Sequence, residues 1–410
     1  MKALEYRKSI PRYALLKLLG SRFPSLYTSA LAPVALRDLP EPKLPNEHWV
    51  RIRPRLAGIC GSDLATVCAK GSPYLAPVTS MPFVLGHELV GHVTEVGDAV
   101  EDISVGDRVV LHPALGCKVR GIEPLCDACA DGRDPLCRNV TRGDIAAGIQ
   151  TGYCRDTGGA FSSSLVAHQS QVYQVPSGVS DGAAVLIEPF SCALHGALRV
   201  SLAETDTVLV IGCGTIGLLT IAALRATGCK ARIVAAAMFD HQKEHALRLG
   251  ADELVDTHGP LESRYAQWAR ALDAEVLRAE LGKPTVIGGA NVVFDCVAAS
   301  STIDNSIRFT KAAGTLVLVG MPGIPRGVDW TPLWYKELTV CAAYAYGPER
   351  LADGKRETFD LAIELIQGLD TILAPLTGSS YRLEDYPAAI AAALDHGRSK
   401  AVKTIFAIDT

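Results

Sequence analysis

A glycine-rich turn joins two apolar segments between residues 207 and 224, and it constrains the fold more than any other stretch of the chain. The first segment has the continuous apolar character of a strand covered on both faces, and a helical apolar pattern follows the turn. Glycines spaced as G-x-G-x-x-G in this setting allow a tight turn, close approach of a pyrophosphate to the backbone and close packing of helix on strand. The stretch therefore predicts a βα unit that binds a dinucleotide, the alternative being a βα turn without a ligand. The predicted cofactor-binding residues of the turn are Gly212, Gly214, Thr215, Ile216 and Gly217.

Further apolar runs at residues 231–237, 291–297 and 314–320 also have the character of buried parallel strands. Helical segments separate these runs, which is the pattern of a doubly wound α/β domain with a parallel sheet. We therefore predict a dinucleotide-binding domain over residues 189–345. Residues 346–410 are expected to return to a first domain that occupies residues 1–188.

The end of the second strand bears on the choice between NAD and NADP. Dinucleotide-binding domains that use NAD place an acidic residue there, where it binds the ribose hydroxyl. This strand ends at Ala237, and the nearest acid, Asp240, follows it too late. His241 and Lys243 are in a position to face a phosphate. Because the carboxylate that would repel a 2′-phosphate is missing, NADP is expected slightly ahead of NAD.

Length and composition exclude several classes of protein. A chain of 410 residues is longer than one hydrophobic core usually spans, which predicts two domains. A formal charge of -4 without a basic block argues against a nucleic-acid partner. The first residues lack the apolar segment of a signal peptide, so we expect a cytoplasmic chain without a membrane partner. Its 12 cysteines then indicate metal binding and buried thiols, not a disulfide framework.

Residues 1–188 are predicted to form a mainly β domain that carries a metal site. Short strand-like segments, with turn residues between them, occur at residues 50–55, 83–85, 91–97 and 108–111. Cys60 and His87 lie next to two of these segments, and both are residue types that bind zinc. Asp63 can accept a hydrogen bond from the second ring nitrogen of His87 and so fix its orientation. The alternative is simple burial, with Cys60 as a small apolar side chain and His87 as a core histidine.

The third metal ligand has several candidates. Glu188 precedes Pro189, and proline favours the first position of a helix, so Glu188 is expected at a helix start. Its carboxylate there can bind the metal, or it can only complement the helix dipole. Glu88, next to His87, and Cys192, one turn after Glu188, are the reserve candidates.

A separate cluster of cysteines lies in a lobe at about residues 116–138, and it predicts a structural zinc site. Its members are Cys117, Cys126, Cys129 and Cys137. Four thiolates close a tetrahedral zinc site and leave no position for a substrate. The alternative is a set of unrelated cysteines in one loop. The gap formed by residues 118–125 is unusually wide, which leaves the shape of the lobe more open than its metal.

In this order, the motifs resemble those of the zinc-dependent alcohol and polyol dehydrogenases of the medium-chain dehydrogenase/reductase superfamily. The resemblance covers nearly the whole chain apart from an insert at residues 12–31. It implies a GroES-like catalytic domain, a Rossmann domain that binds NAD(P), a catalytic zinc on Cys60, His87 and Glu188, and a structural zinc on the cysteine cluster. It also implies a homodimer or homotetramer, and contact of Lys403 with the cofactor pyrophosphate. One departure is Ala65, which stands where relatives often have a histidine that relays the proton.

The predicted function is zinc-dependent hydride transfer between an alcohol and NAD(P), the alcohol being a polyol, a sugar or a secondary alcohol. Zinc would act as a Lewis acid on the alcohol, and Ser62 would accept the alcohol proton. One alternative is a metal-free enone or quinone reductase on the same scaffold. The other is a noncatalytic protein that binds NAD(P) and zinc, with the 12–31 insert as a docking element.

Overall fold

The computed structural model describes residues 1–352 and 354–408. The chain divides into two compact units, one formed by Met1–Glu188 with Arg350–Thr410 and the other by Pro189–Glu349. The first unit is mainly β, and the second is built on a six-stranded parallel sheet with helices between its strands. The predicted fold class is therefore confirmed. Within the described ranges, no helix is long and apolar enough to cross a membrane.

The strands and helices occur along the chain in the following order. Up to the end of the first unit they are β1 (Lys2–Tyr6), α1 (Ile10–Leu19), β2 (Val34–Asp38), β3 (Trp49–Gly58), α2 (Gly61–Val67), β4 (Phe83–Val84), β5 (Glu88–Val96), β6 (Arg108–Leu111), α3 (Asp127–Ala130), β7 (Leu165–His168), β8 (Val172–Gln174), α4 (Asp181–Ala184) and α5 (Ile187–Ala197). The next are β9 (Thr207–Ile211), α6 (Thr215–Ala226), β10 (Arg232–Ala237), α7 (Asp240–Arg248), β11 (Glu253–Asp256), α8 (Leu261–Ala271), β12 (Ala274–Leu277), β13 (Thr285–Gly288), β14 (Ala290–Asp295), α9 (Ser300–Phe309), β15 (Thr310–Leu318), α10 (Thr331–Tyr335) and β16 (Thr339–Ala342). The last are β17 (Pro348–Leu351), β18 (Gly354–Glu357), α11 (Thr358–Gln367), α12 (Asp370–Leu373), β19 (Thr377–Arg382), α13 (Tyr386–Leu394), α14 (His396–Ser399) and β20 (Lys403–Ala407).

Strand β3 lies inside the large sheet of the first unit, whose order is β19-β20-β3-β5-β6-β8, with β7 also paired to β3. Val50 and Ile52 of β3 are fully buried. Alternate residues of a strand face the same side of a sheet, so both side chains point into the same core. In the antiparallel β3–β5 ladder, Gly58 pairs with Glu88. Strand β5 therefore begins at Glu88, earlier than the predicted segment at residues 91–97, and this register brings the end of β3 beside the start of β5.

A smaller sheet of order β2-β1-β4 carries the insert. Tyr6 at the end of β1 pairs with Val34 at the start of β2, so the insert is the connection between two neighbouring strands. The insert contains most of α1, which packs into the core of the first unit through Leu16.

The sheet of the second unit has the order β11-β10-β9-β14-β15-β16, and all its pairings are parallel. If only the strands of this sheet are numbered in chain order, this is the 3-2-1-4-5-6 order of dinucleotide-binding domains. Its central strand β9 is buried from Val208 to Ile211, as expected for a parallel strand covered by helices on both faces. The glycine-rich turn follows β9 directly.

Candidate active site and metal centres

Three predicted metal-binding residues of the first unit converge at the ends of β3 and β5. Cys60 lies just after β3 and caps the start of α2, His87 directly precedes β5, and Glu88 is the first residue of β5. Their ligand atoms all lie within 4.8 Å of one another. His87 and Glu88 are buried, and Cys60 is half-buried. A thiolate, an imidazole and a carboxylate at this spacing form a donor set suited to zinc.

Asp63 supports this cluster from the first turn of α2. It is buried, and one carboxylate oxygen accepts a hydrogen bond from the Cys60 N–H at 3.0 Å. The other oxygen, Oδ1, lies 3.7 Å from His87 Nδ1. Both atoms are buried, and neither has a hydrogen-bond partner among the described residues. Burial raises the pKa of Asp63, against the opposing effects of His87 and the Cys60 N–H. A carboxylate beside the outer nitrogen of a metal-binding histidine usually fixes its orientation, and these two atoms are placed for that contact.

The charges around His87 favour a cation. Burial alone would lower the pKa of His87, but Asp63, Cys60 and Glu188 together raise it to about 10. A proton on the imidazole is therefore stabilised by a surrounding set of negative groups. Since a metal ion replaces that proton when the imidazole becomes a ligand, the same negative groups fit a divalent cation.

Glu88 and Glu188 are both close to this cluster, but in different ways. Glu88 belongs to the group of ligand atoms within 4.8 Å, whereas Glu188 does not belong to that group among the described residues. Glu188 is buried in the first turn of α5, and its charge raises the pKa of His87 and of Lys403. The geometry thus supports Glu88, the reserve candidate, as the carboxylate that groups with the thiolate and the imidazole. Cys192 lies further along α5, in the second unit.

Lys403 reaches the cluster from β20 and forms a buried ion pair with Glu88. Burial would lower the pKa of Lys403, but Glu88, Cys60 and Glu188 raise it above the ordinary value. The ion pair depends on Gly58, because a Cβ there would lie 2.1 Å from Glu88 Oε2 and 2.7 Å from Lys403 Cε. The residue predicted to contact a cofactor phosphate is therefore a neighbour of the metal cluster.

Hydroxyl groups border the cluster on the α2 side. Ser62 Oγ is buried and has no hydrogen-bond partner in the part of the chain that the structure describes. One turn later, Thr66 Oγ1 donates to the Ser62 carbonyl at 3.0 Å and lies 3.0 Å from the Tyr153 hydroxyl. Burial raises the pKa of Tyr153, so its hydroxyl stays protonated. Ala65 occupies the neighbouring position in α2 and offers no proton acceptor.

Thr66 and Tyr153 were not among the predicted site residues. For Thr66 the signal was its helical spacing from Ser62, which places both residues on one face of α2. Tyr153 comes from an irregular segment in which no motif marks a functional residue. Only the tertiary structure brings it to the cluster.

The four predicted structural cysteines form a second, closed group. All four are buried, their sulfur atoms lie within 4.8 Å of one another, and none forms a disulfide. Cys137 Sγ lies 3.6 Å from Cys117 Sγ and 3.9 Å from Cys126 Sγ. A tetrahedral site with Zn–S bonds of about 2.3 Å separates its sulfurs by about 3.8 Å, and a disulfide would require about 2.05 Å. The sulfur spacing therefore fits a zinc ion.

Hydrogen bonds to sulfur reinforce this fit. The backbone N–H of Cys117 donates to Cys129 Sγ at 3.3 Å, and that of Cys126 donates to Cys117 Sγ at 3.4 Å. Asn139 donates to Cys137 Sγ through its backbone and to Cys117 Sγ through its side chain, both at 3.3 Å. N–H donors of this kind stabilise the thiolate form that binds metal.

In the second unit, each glycine of the predicted cofactor turn meets a different requirement. Gly212 has a φ of +90°, which favours glycine, and a Cβ at Gly217 would lie 2.0 Å from the Gly212 carbonyl oxygen. Gly214 faces open space and caps α6, which starts with Thr215 and Ile216. A bare backbone at the start of a helix of this length is a site where a pyrophosphate can bind.

The residues predicted to face a 2′-phosphate have other contacts. Lys243 Nζ lies 2.7 Å from Asp256 Oδ1 and 3.3 Å from Asp240 Oδ1. His241 stacks on Phe239 with ring centroids 5.7 Å apart. The positive charge of Lys243 is thus already compensated. At the end of β10, Ala237 is buried and contributes no carboxylate.

Known protein families and individual proteins match this chain over most of its length. Residues 46–177 match a family model described as alcohol dehydrogenase GroES-like domain, and residues 215–367 match one described as zinc-binding dehydrogenase. L-idonate 5-dehydrogenase from Vitis vinifera is 29% identical over 331 residues, 80% of this chain and 79% of the relative. Sorbitol dehydrogenase from Arabidopsis thaliana is 28% identical over 362 residues, 88% of each chain. A crystal structure of 2R,3R-butanediol dehydrogenase from Bacillus subtilis, 24% identical, aligns with 100% of this chain and 99% of its own at a TM-score of 0.71, which shows a shared fold.

Proposed function

Since the chain belongs to the zinc-dependent alcohol and polyol dehydrogenases of the medium-chain dehydrogenase/reductase superfamily, we propose that it oxidises a polyol or related secondary alcohol with a nicotinamide cofactor. The observation that carries the proposal is the convergence of Cys60, His87 and Glu88 beside the buried, unpartnered hydroxyl of Ser62. The similarity to sorbitol and L-idonate dehydrogenases supports a polyol or sugar acid as the substrate.

The catalytic metal would be held by Cys60, His87 and a carboxylate. Glu88 is the carboxylate that the spacing supports, and Glu188 is the alternative whose charge reaches the same site. When bound, zinc lowers the pKa of a hydroxyl group and so prepares an alcohol to lose hydride. Asp63 orients His87, and Lys403 offsets part of the negative charge of Glu88.

Ser62 is proposed to accept the substrate proton. Its Oγ has spare donor and acceptor capacity, because it makes no hydrogen bond within the described chain. Thr66 spends its own proton on the Ser62 carbonyl, so Tyr153 donates to Thr66 and keeps an acceptor lone pair. That lone pair can accept a hydrogen bond from Ser62 and so turn the Ser62 lone pairs toward the substrate, while the proton that the alcohol loses passes to solvent. In the absence of a histidine at Ala65, these hydroxyl groups set the direction of the Ser62 hydrogen bond.

The cofactor-binding turn is proposed to accept both NAD and NADP. Ala237 removes the carboxylate that would repel a 2′-phosphate, and the ion pairs of Lys243 remove a cation that would attract one. These effects oppose each other, so the ratio of kcat/KM for NAD and NADP should lie within about tenfold, equivalent to about 1.4 kcal/mol. The cysteine cluster is proposed to hold a structural zinc, and the chain to act as a cytoplasmic homodimer or homotetramer.

The proposal is tested by metal analysis together with a substrate panel. Zinc content should approach about two ions per chain, one catalytic and one structural. Polyols, sugar acids and secondary alcohols should each be assayed with NAD and with NADP for reduced nicotinamide. A metal-free reductase would instead have at most about one zinc and would reduce enones or quinones. Nucleotide binding without turnover of any alcohol would indicate a noncatalytic protein.

A further inference from the structure

Arg120 lies inside the wide gap between Cys117 and Cys126, and it is completely buried. Within the described part of the chain, its guanidinium donates to backbone carbonyl groups at Leu115 and at residues 142–148. The acceptors are Leu115 at 2.9 Å, Arg142 at 2.9 Å, Ile145 at 3.1 Å, Ala146 at 3.3 Å and Gly148 at 2.6 Å. Because Leu115 and residues 142–148 both accept hydrogen bonds from the planar Arg120 guanidinium, Arg120 fixes the path of residues 115–148 around the cysteines.

This arrangement leaves a buried positive charge that neutral carbonyls alone do not balance. Burying an unpaired ion costs several kcal/mol, so buried charges are generally found near an opposite charge. Among the described residues, no carboxylate is hydrogen-bonded to Arg120. The charge of Asp156 acts on Arg120, but this half-exposed side chain accepts a hydrogen bond from the Ala146 N–H at 2.7 Å with one of its oxygens.

The cysteine cluster is a further source of negative charge when it holds zinc. Four thiolates around one Zn²⁺ leave a net charge of about −2. Burial lowers the pKa of Arg120, and the charges of Cys154, Cys137 and Cys117 oppose that effect. Cys117 also lies close in the chain, since its carbonyl accepts a hydrogen bond from the Arg120 backbone N–H at 3.0 Å. A Cβ at Gly143 would lie 2.3 Å from the Arg120 carbonyl oxygen, so the backbone at Gly143 packs closely against the backbone at Arg120.

We propose that Arg120 is the positioning residue of the structural metal centre, where it shapes the wide first gap and offsets the negative charge of the metal-bound thiolates. This inference rests on the proposed structural zinc. It explains how a lobe with this unusual cysteine spacing still brings four sulfur atoms together. It also requires that the guanidinium and the metal stabilise each other, because the thiolates carry their charge mainly when the metal is bound.

The test compares metal affinity with stability of the metal-free chain, using full-length Cys60→Ala protein so that the thiolate-to-cobalt absorption band reports the cysteine cluster. Arg120→Met removes charge and hydrogen bonds, Arg120→Lys keeps the charge, and Arg138→Met is the control, since Arg138 is 68% exposed and pairs with Asp127 on the surface. We expect cobalt and zinc affinity to fall by about 10- to 100-fold in Arg120→Met, as for other groups that support metal ligands. Arg120→Lys should recover part of this loss, and Arg138→Met should match the parent.

Thermal unfolding of the same proteins without metal separates coupling from general destabilisation. Arg120→Met should lower the melting temperature of the metal-loaded chain more than that of the metal-free chain. An equal decrease in both forms, or unchanged metal affinity, would overturn the role of Arg120. If Arg120→Met does not fold, the affinity of Arg120→Lys decides between the same outcomes. A parent protein that binds no cobalt through its cysteine cluster would refute the structural centre itself and leave the catalytic proposal standing.

Discussion

Gly58 faces Glu88 across the β3–β5 ladder, and the lack of a side chain at Gly58 makes room for the buried pair of Glu88 and Lys403. A residue that carries no chemistry of its own thus determines the geometry of the candidate metal site. The β3–β5 register also sets the positions of Cys60 and His87, which lie just outside the paired segments.

Gly58→Ala should damage the metal site without removing a ligand. The added Cβ would overlap Glu88 and Lys403, so we expect catalytic zinc affinity to fall by about 10- to 100-fold, with a parallel loss of kcat/KM. Zinc content after dialysis against a weak chelator measures the effect. Gly61→Ala is the matched control, because a Cβ at Gly61 meets nothing within 4 Å. Equal zinc retention in the two variants would contradict the spatial role of Gly58.

Cys60→Ala should abolish turnover while nicotinamide binding remains nearly intact. Cys60 offers the thiolate of the catalytic cluster in the first unit, whereas the glycine-rich turn follows β9 in the second unit. One zinc ion per chain should remain on the cysteine cluster, by analogy with closed structural sites. Metal analysis and fluorescence titration with NADH give the two measurements. Wild-type turnover in this variant would refute the catalytic zinc.

Replacement of Glu88 and of Glu188 by glutamine should have different effects on zinc content. Glu88→Gln should lower zinc content, because Glu88 lies in the group of ligand atoms within 4.8 Å. Glu188→Gln should retain zinc and alter kcat, since its described effect on the cluster is electrostatic. Zinc loss in Glu188→Gln with retention in Glu88→Gln would reverse the assignment. Both variants should be assayed beside Glu95→Gln, which changes an exposed carboxylate on the same strand.

Tyr153→Phe should slow the reaction by affecting Ser62. Without the hydroxyl of Tyr153, the Ser62 proton loses its acceptor, and kcat should fall by up to about 10²-fold, within the range for positioned proton transfer. Ser62→Ala should lose more activity than Tyr153→Phe. Steady-state kinetics with a deuterated alcohol separate slower proton transfer from slower hydride transfer. An unchanged kcat in Tyr153→Phe would remove that residue from the mechanism.

Ala237→Asp should turn a dual cofactor preference into a preference for NAD. The new carboxylate would accept the ribose hydroxyl of NAD and repel the 2′-phosphate of NADP. We expect kcat/KM with NADP to fall by about 10²-fold relative to NAD, or about 2.7 kcal/mol. The ratio of the two kcat/KM values is the measurement. If the parent already discriminates strongly between the cofactors, the proposed dual use is wrong.

Lys336 predicts a pH dependence of stability in the second unit. Burial, and then Arg308, lowers the pKa of Lys336 from 10.5 to about 8, and its ammonium donates to the carbonyls of Arg308 and Thr310. Between these pH values the unfolded chain holds more protons than the folded chain, so this group makes the free energy of unfolding rise with pH. Urea unfolding across this range should show a shallower rise in Lys336→Met. Lys230→Met, at an exposed position, should keep the parent slope.

The fold followed from local patterns, because continuous apolar runs and glycine spacing report directly on buried parallel strands and a tight βα turn. Cys60, His87 and the cysteine cluster were also identifiable, since few other residue types bind zinc. The choice between Glu88 and Glu188 as the metal-binding carboxylate could not be predicted from local patterns, because it depends on the β3–β5 register. The ion pairs of Lys243 and the approach of Tyr153 likewise arise from contacts between distant segments, which no local pattern records.

The position of Lys403 has a consequence for biosynthesis. Its strand β20 pairs with β3, so the positive partner of Glu88 comes from a strand that is translated well after β5. A nascent polypeptide can already contain every sulfur and imidazole of the metal cluster while Glu88 still lacks its counter-ion deep in the β unit. Polypeptides shortened before residue 403 should therefore accumulate with little catalytic zinc.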